Sequence, residues 1–452
     1  MPPVQFATPS AATPELPRQL GLVDSLSIVV GVVIGGGIFL VPNLVARELK
    51  STEAILAVWA FAGLISFFGA LACAELGTAF PATGGQYVFL RESYGPLVGF
   101  LCGWSMFVVA RTAQVAWLAV TLALYASYLV PLSPLASKVL GLAAIAVFTA
   151  INYRGATAGA AIQKLFTFAK VAGLLLIISS AFLWSGKATP VFQHASSEFT
   201  LGGFGVALIA CVLACDGWVQ LSFVAGEIRN PQRNVLVALA LGSAICTAIY
   251  LLANLAFLRV LSIPEIAASN HVGADVAARI LGSAGGALVS VIILISIIGT
   301  LNGCFLTSPR VYFAQAQDGL FFRKFASVHP RYQTPGFAIA AQGLWAAVLL
   351  LTGSYESLLD YAMFVLWLSY GAMVAGVILL RVRRPELPRP YRMWGYPVTA
   401  ILFLAITGWF LGNMIVTRPV PSLAGLALTA TGIPVYFLWA RKRTAVEERA
   451  VA

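Results

Sequence analysis

Two short stretches could bind a charged molecule using backbone alone. The first is Gly31-Val-Val-Ile-Gly-Gly-Gly-Ile-Phe-Leu-Val-Pro42, where Gly35, Gly36 and Gly37 interrupt an apolar run. The second is Leu213-Ala-Cys-Asp-Gly-Trp218, where Asp216 and Gly217 interrupt another. A helical glycine costs about 1 kcal/mol against alanine. Glycines that serve helix packing recur every four residues on one face, whereas three in a row point in three directions. A backbone that bends and stays bare explains them better. Such a break is tolerated at membrane depth only where it is buried in protein or lines a cavity. Asp216 is costly in an apolar helix. Either it caps the amides of a second half-helix, or it serves a substrate or a proton.

The two breaks offer complementary groups. A half-helix N-terminus presents free N–H groups and a positive dipole end, which suit a carboxylate. The carbonyls that end the preceding half-helices suit an ammonium. A molecule carrying both charges on one carbon, an α-amino acid, matches that pair.

Other polar residues lie inside apolar runs. Lys170 sits deeper in its run than Lys164, so a buried charge competes with snorkelling to the interface. Arg111 must face protein or water, toward a structural partner or a substrate. Glu75 and Glu227, near the ends of their runs, read as gate or interfacial residues. Asn254 and Asn302 either bond helix to helix or line a pathway. His194, His271 and His329 all fall in loops and no second aspartate lies deep in a run, which argues against an intramembrane enzyme.

The elements that hold these residues are membrane helices. Of 452 residues, 60% are hydrophobic and 10% charged, against roughly a quarter charged in soluble domains. The mean hydropathy is +0.89. About 20 apolar residues cross a bilayer, and the chain predicts about 12 spans: 22–46, 53–79, 97–129, 136–153, 157–184, 204–228, 235–261, 285–314, 336–352, 357–380, 396–417 and 421–440. The third is too long to stand upright and should tilt. About 19 of the 28 Lys and Arg fall on one side if both termini are cytoplasmic, the expected bias. The net charge of +11 therefore reads as topology rather than nucleic-acid binding. The runs Arg381-Val-Arg-Arg384 and Arg441-Lys-Arg443 suit orientation and anionic-lipid contact. The six cysteines fall in apolar runs without metal or disulfide spacing. No nucleotide-binding Gly-x-x-x-x-Gly-Lys-Ser/Thr stretch is present and no cofactor is called for. Energy must come from a gradient or from exchange.

Broken spans one and six, five spans apart, point to an inverted-repeat transporter. Here the sequence resembles a known group. Gly35-Gly-Gly-Ile-Phe39 with Pro42 looks like the signature of the amino acid–polyamine–organocation superfamily. Asp216-Gly-Trp218, Phe223-Val-Ala-Gly-Glu-Ile-Arg-Asn-Pro231, Arg233-Asn234, Phe80-Pro-x-x-Gly-Gly-Gln-Tyr87, Trp104 and Arg111 are similar to its L-type amino acid transporter branch. The resemblance runs from about residue 20 to 440.

It implies an all-α polytopic fold of two inverted five-helix repeats with two extra C-terminal helices. It implies that Gly36 and Gly37 amides bind the substrate carboxylate. The carbonyls of Val33, Leu213 and Asp216 would receive the amino group, with Ile34, Gly35, Cys215, Gly217 and Trp218 completing the site. It implies that Lys170 takes the place of a sodium ion held by sodium-coupled cousins and touches the first break. Relatives carry larger side chains at Leu213 and Cys215, so the resemblance leaves the size of the accepted side chain open. Animal relatives join a partner through a cysteine after span three; Val130 to Lys138 has none, so no disulfide-linked accessory subunit is expected there.

The expected organisation is a disordered cytoplasmic tail over 1–20, a transport core over 21–380, helices eleven and twelve with a basic linker over 381–441, and a cytoplasmic tail over 442–452. The expected function is sodium-independent secondary transport of neutral L-amino acids across the cytoplasmic membrane, by exchange or proton coupling. A polyamine or cationic amino acid permease is the alternative, and a non-transporting receptor or intramembrane enzyme a remote one.

Overall fold

A computed structural model describes residues 16–186, 190, 200–353 and 355–439. Among these the chain forms helices, with one isolated bridge between Leu20 and Ile228 in place of any strand. Nine single helices are long and apolar enough to cross a bilayer. Leu22–Val33 and Gly37–Glu48 form a tenth span bent by 40° at the glycines. Two shorter apolar helices, Leu201–Ala214 and Gly336–Thr352, stand where the sixth and ninth spans are expected. Counting these two shorter helices as well, the described residues offer up to twelve apolar segments where hydropathy predicts spans. Five is an odd number, so a second five-span unit enters from the opposite face. That inverts the two units and sets their broken first members side by side.

Local chemistry fixes the helix starts. Pro96, Pro134 and Pro231 sit at first helical positions of spans three, four and seven, where a missing N–H costs nothing. Ser51, Ser133 and Thr200 accept from amides three residues on and cap spans two, four and six. The long third span contains a π-helical turn, Met106–Ala110, immediately before Arg111. Thr112 Oγ1 donates to the Phe107 carbonyl within it. That bulge re-aims the helix and carries Arg111 inward.

The broken spans lie in the interior and the later ones outside. The third and tenth spans are 72% buried over their most apolar windows, the twelfth 17%. Leu165, Phe168, Leu344, Val416 and Leu438 are exposed apolar residues that suit lipid contact. Glycines let inner helices approach: an added Cβ at Gly63 would strike Thr247, and one at Gly69 would strike Trp218.

One expectation is corrected. Residues 16–20, read as disordered tail, are docked: Leu16 and Leu20 are buried, and the Gln19 and Leu20 amides donate to the Glu227 carbonyl at 2.9 and 3.0 Å. Two leucines that hide from water drive the docking. Residues 1–15 of that tail, and the tail over 442–452, lie outside the described residues. The sixth span, expected over 204–228 with a break at Asp216 and Gly217, is regular from Leu201 to Ala214. Beyond the break it continues as the short helix Gln220–Phe223 and the 3₁₀ turn Ala225–Glu227.

Candidate functional site

The first half-helix ends at Val33 and the second begins at Gly37. The Gly35 amide turns back onto the Val33 carbonyl at 2.8 Å. The amides of Gly36, Gly37 and Ile38 donate to no acceptor among the described residues. Gly35, Gly36 and Gly37 are partly accessible, while Val33, Ile34, Ile38 and Phe39 around them are buried. Free donors at a helix N-terminus thus open onto a space inside the protein, the geometry of an anion site. The three glycines differ in purpose. An added Cβ at Gly36 meets only the Leu40 Cδ1 at 3.9 Å, whereas one at Gly37 would lie 2.8 Å from the Ala214 Cβ.

The sixth span breaks opposite. Gly217 has φ +123°, a backbone open to glycine, and a Cβ there would lie 2.7 Å from Val32 Cγ1. The two breaks therefore touch through bare backbone. The Tyr250 hydroxyl ties them together, lying 2.8 Å from the Val33 carbonyl and 3.1 Å from that of Ala214. Its single proton cannot satisfy both oxygens at once. Val33 O thus has two donors, Gly35 N and Tyr250, while Leu213 O accepts from the Asp216 amide at 3.2 Å. Leu213 is partly accessible beside the glycines.

Asp216 is only 8% exposed, with the Arg111 guanidinium, the Tyr370 hydroxyl and the Gly217 amide beside its carboxylate. Trp218 turns away from the accessible glycines. It is buried against Gly69 and packs on Tyr370 and Phe403, with ring centroids 5.3 and 6.4 Å away. Cys215 is also buried.

Lys170 is fully buried at the first break rather than snorkelling. Its Nζ donates to the carbonyls of Gly31, Ile34 and Ser296, each at 2.8 Å, and lies 3.3 Å from Thr300 Oγ1. Gln163 and Thr167, two turns and one turn earlier on the same helix, donate to the Ser27 carbonyl. Span five thus holds the first half-helix, Lys170 through the open carbonyls of Gly31 and Ile34 at its end and Gln163 and Thr167 through Ser27 within it. Lys164 instead pairs with Asp24 at 2.8 Å. Arg111 is buried, donating to Gln114 at 2.9 Å and to the Tyr370 hydroxyl at 3.2 Å. Asn302 bonds to Gly159 and Gln163 and accepts from Asn152, a purely interhelical network.

The face that carries the basic loops is closed by charge pairs. Arg310 donates to both Glu227 oxygens, at 2.7 and 3.0 Å, with neither side chain exposed beyond 1%. Glu75 accepts from Arg381 at 2.9 and 2.6 Å and from the Met393 amide at 2.7 Å. Asp318 takes Arg91, and also Tyr87 at 2.5 Å. Glu75 and Glu227, read from sequence as gate or interfacial residues, are buried in ion pairs whose arginines, 306 and 83 positions away, no local pattern pointed to.

Known proteins are similar in sequence over most of the chain. The chain is 33% identical to a serine/threonine exchanger of Bacillus subtilis over 93% of its length and 97% of the relative's. It is 31% identical to the b(0,+)-type amino acid transporter 1 of Homo sapiens, over 95% and 91%. It is 30% identical to the human cystine/glutamate transporter, over 94% and 86%. The amino acid permease model matches residues 20–438, which includes both breaks, Lys170 and the closed basic face, and the chain therefore belongs to the amino acid permease family.

Proposed function

We propose that the chain is a sodium-independent secondary transporter of neutral L-α-amino acids, an exchanger or a proton-coupled carrier rather than an enzyme, working by alternating access in the cytoplasmic membrane. Both termini lie on the cytoplasmic side, the side of the basic loops. The observation that carries the reading is the row of unpartnered amides at Gly36, Gly37 and Ile38. They receive the substrate carboxylate. The Leu213 and Asp216 carbonyls receive the ammonium, and Val33 joins when the Tyr250 proton moves to Ala214. The amino acids for which the relatives are named, serine, threonine, cystine and glutamate, all carry that α-amino acid head.

Sodium independence is supported by the donor set around Lys170. Three carbonyls and a hydroxyl would suit a hard cation, and the ammonium already takes them. A cationic or polyamine substrate is disfavoured because the buried Arg111 lies beside Asp216 and compensates it. Uptake by the purified chain in proteoliposomes tests the proposal. Labelled alanine, serine or leucine should enter liposomes preloaded with amino acid, with or without sodium. Uptake of putrescine without any of these would overturn it.

A further inference from the structure

We infer that the turn Phe321-Phe-Arg-Lys-Phe325, packed on the end of span twelve, is a docking surface for an anionic phospholipid of the leaflet on the basic face.

The turn follows span eight, and its side chains part by chemistry. Phe321 and Phe325 are buried, whereas Phe322 is 54% exposed. Arg323 and Lys324 beside it are exposed as well. The buried rings fix the turn. Phe321 meets Phe325 and Trp439 with ring centroids 4.7 and 5.8 Å apart, and Phe325 meets Phe107 of the π-helical turn at 5.5 Å. The Phe322 ring stands edge-on to Trp439 at 4.9 Å. Trp439 ends the apolar span Pro419–Trp439. That contact sets the height of Phe322 at the end of a membrane span, where headgroups meet acyl chains.

The two charges are open to a ligand. Arginines elsewhere on this face are taken up inside the protein: Arg310 by Glu227, Arg381 by Glu75, Arg384 by Glu92 and Arg91 by Asp318. Two of the three arginines in the run Arg381-Val-Arg-Arg384 are therefore engaged with carboxylates. Arg323 and Lys324 pair with no carboxylate among the described residues.

This combination selects one kind of partner. Apolar side chains at this depth enter the acyl boundary while neighbouring Lys and Arg meet anionic headgroups. A free phosphate would use the two charges and leave Phe322 in water. A second copy of the chain, docked about a two-fold axis, would cover Phe322 but set Arg323 and Lys324 against their own like charges. A phospholipid with a net negative headgroup satisfies both halves of the surface.

The test is native mass spectrometry and thermal melting of the full purified chain in detergent, titrated with phosphatidylglycerol or phosphatidylcholine. The parent should retain phosphatidylglycerol at about 10-fold lower concentration than phosphatidylcholine, and should melt higher in its presence. Each basic residue near an anionic surface is worth about five-fold. Arg323→Gln combined with Lys324→Gln should thus abolish the preference while serine counterflow in proteoliposomes is kept. Phe322→Ser should weaken retention of phosphatidylglycerol. Arg383→Gln combined with Arg392→Gln, two exposed arginines elsewhere on the face, should leave the preference in place. Equal retention of the two lipids by the parent, or equal loss of the preference in both double variants, would overturn the inference. Displacement of bound phosphatidylglycerol by inorganic phosphate would also overturn it, as would a lipid-independent dimer that Phe322→Ser dissociates. If the Arg323 and Lys324 double variant does not insert, the parent's own lipid series and Phe322→Ser decide. None of these readouts but the counterflow control depends on transport, so their failure leaves the reading of the substrate site standing.

Discussion

A side chain at Gly36 would project into open space, whereas one at Gly37 would run into Ala214. The two glycines should therefore fail differently. Gly36→Val is expected to insert and fold normally but abolish uptake, because its branches fill the carboxylate site; normal uptake by that variant would remove the site from Gly36. Gly37→Val is expected to lower the melting temperature of the purified protein, with overpacking costing about 1–3 kcal/mol. Lys170→Ala removes the donor shared by Gly31, Ile34 and Ser296. Those carbonyls lose a charge-assisted partner, and transport should fall without a demand for sodium appearing. A variant as active as the parent would make Lys170 purely structural. The glycines and Asp216 were legible in the sequence because each is expensive in a membrane helix and needs a reason. The inward-turned Trp218 was not, since an indole suits a binding site and an aromatic core equally well.

At the scale of elements, Glu227 joins three pieces of chain. Its backbone carbonyl holds the segment before span one, its carboxylate holds Arg310 on span eight, and it ends span six. Opening the basic face requires that pair to part. Arg310→Met leaves a buried carboxylate alone, which costs about 3–5 kcal/mol. It should destabilise the closed face, read as faster labelling of a cysteine introduced beneath it. Adding Glu227→Leu should restore much of the thermal stability, since two apolar groups replace the pair. Equal stability of the single and double variants would deny the pair this role. The docked N-terminal segment could not be read from sequence, because it is held by backbone bonds to a residue more than 200 positions away. The short inner half of span six was hidden similarly: Val219 to Ile228 reads as an apolar helix, but its bonds close 3₁₀ turns.

On the scale of the whole molecule, hydropathy located the nine single spans and the bent tenth among the described residues, whereas the packing of one span on another was not encoded in any local pattern. The opposite face carries its own ion pair outside the spans. The bond from Arg279 and the Ser262 amide hold the Glu265 carboxyl down, at about 2. A lowered carboxyl pKa stabilises the fold above its ordinary value of about 4.5, and the contribution is lost as the pH falls through about 2. The difference in melting temperature between the parent and Glu265→Gln should thus be constant from pH 8 to 6 and shrink only below about pH 4.5. It should be small, since both side chains are 41% exposed. A difference that grows on acidification would contradict the assignment.

The account's central claim is that bare backbone at two helix breaks recognises both charges of an α-amino acid. Competition against uptake of labelled L-alanine by L-alaninamide tests it most directly, because the amide keeps the amino group and side chain but loses the carboxylate. The account predicts that excess L-alanine blocks uptake and excess L-alaninamide does not. Equal inhibition by the two would contradict it.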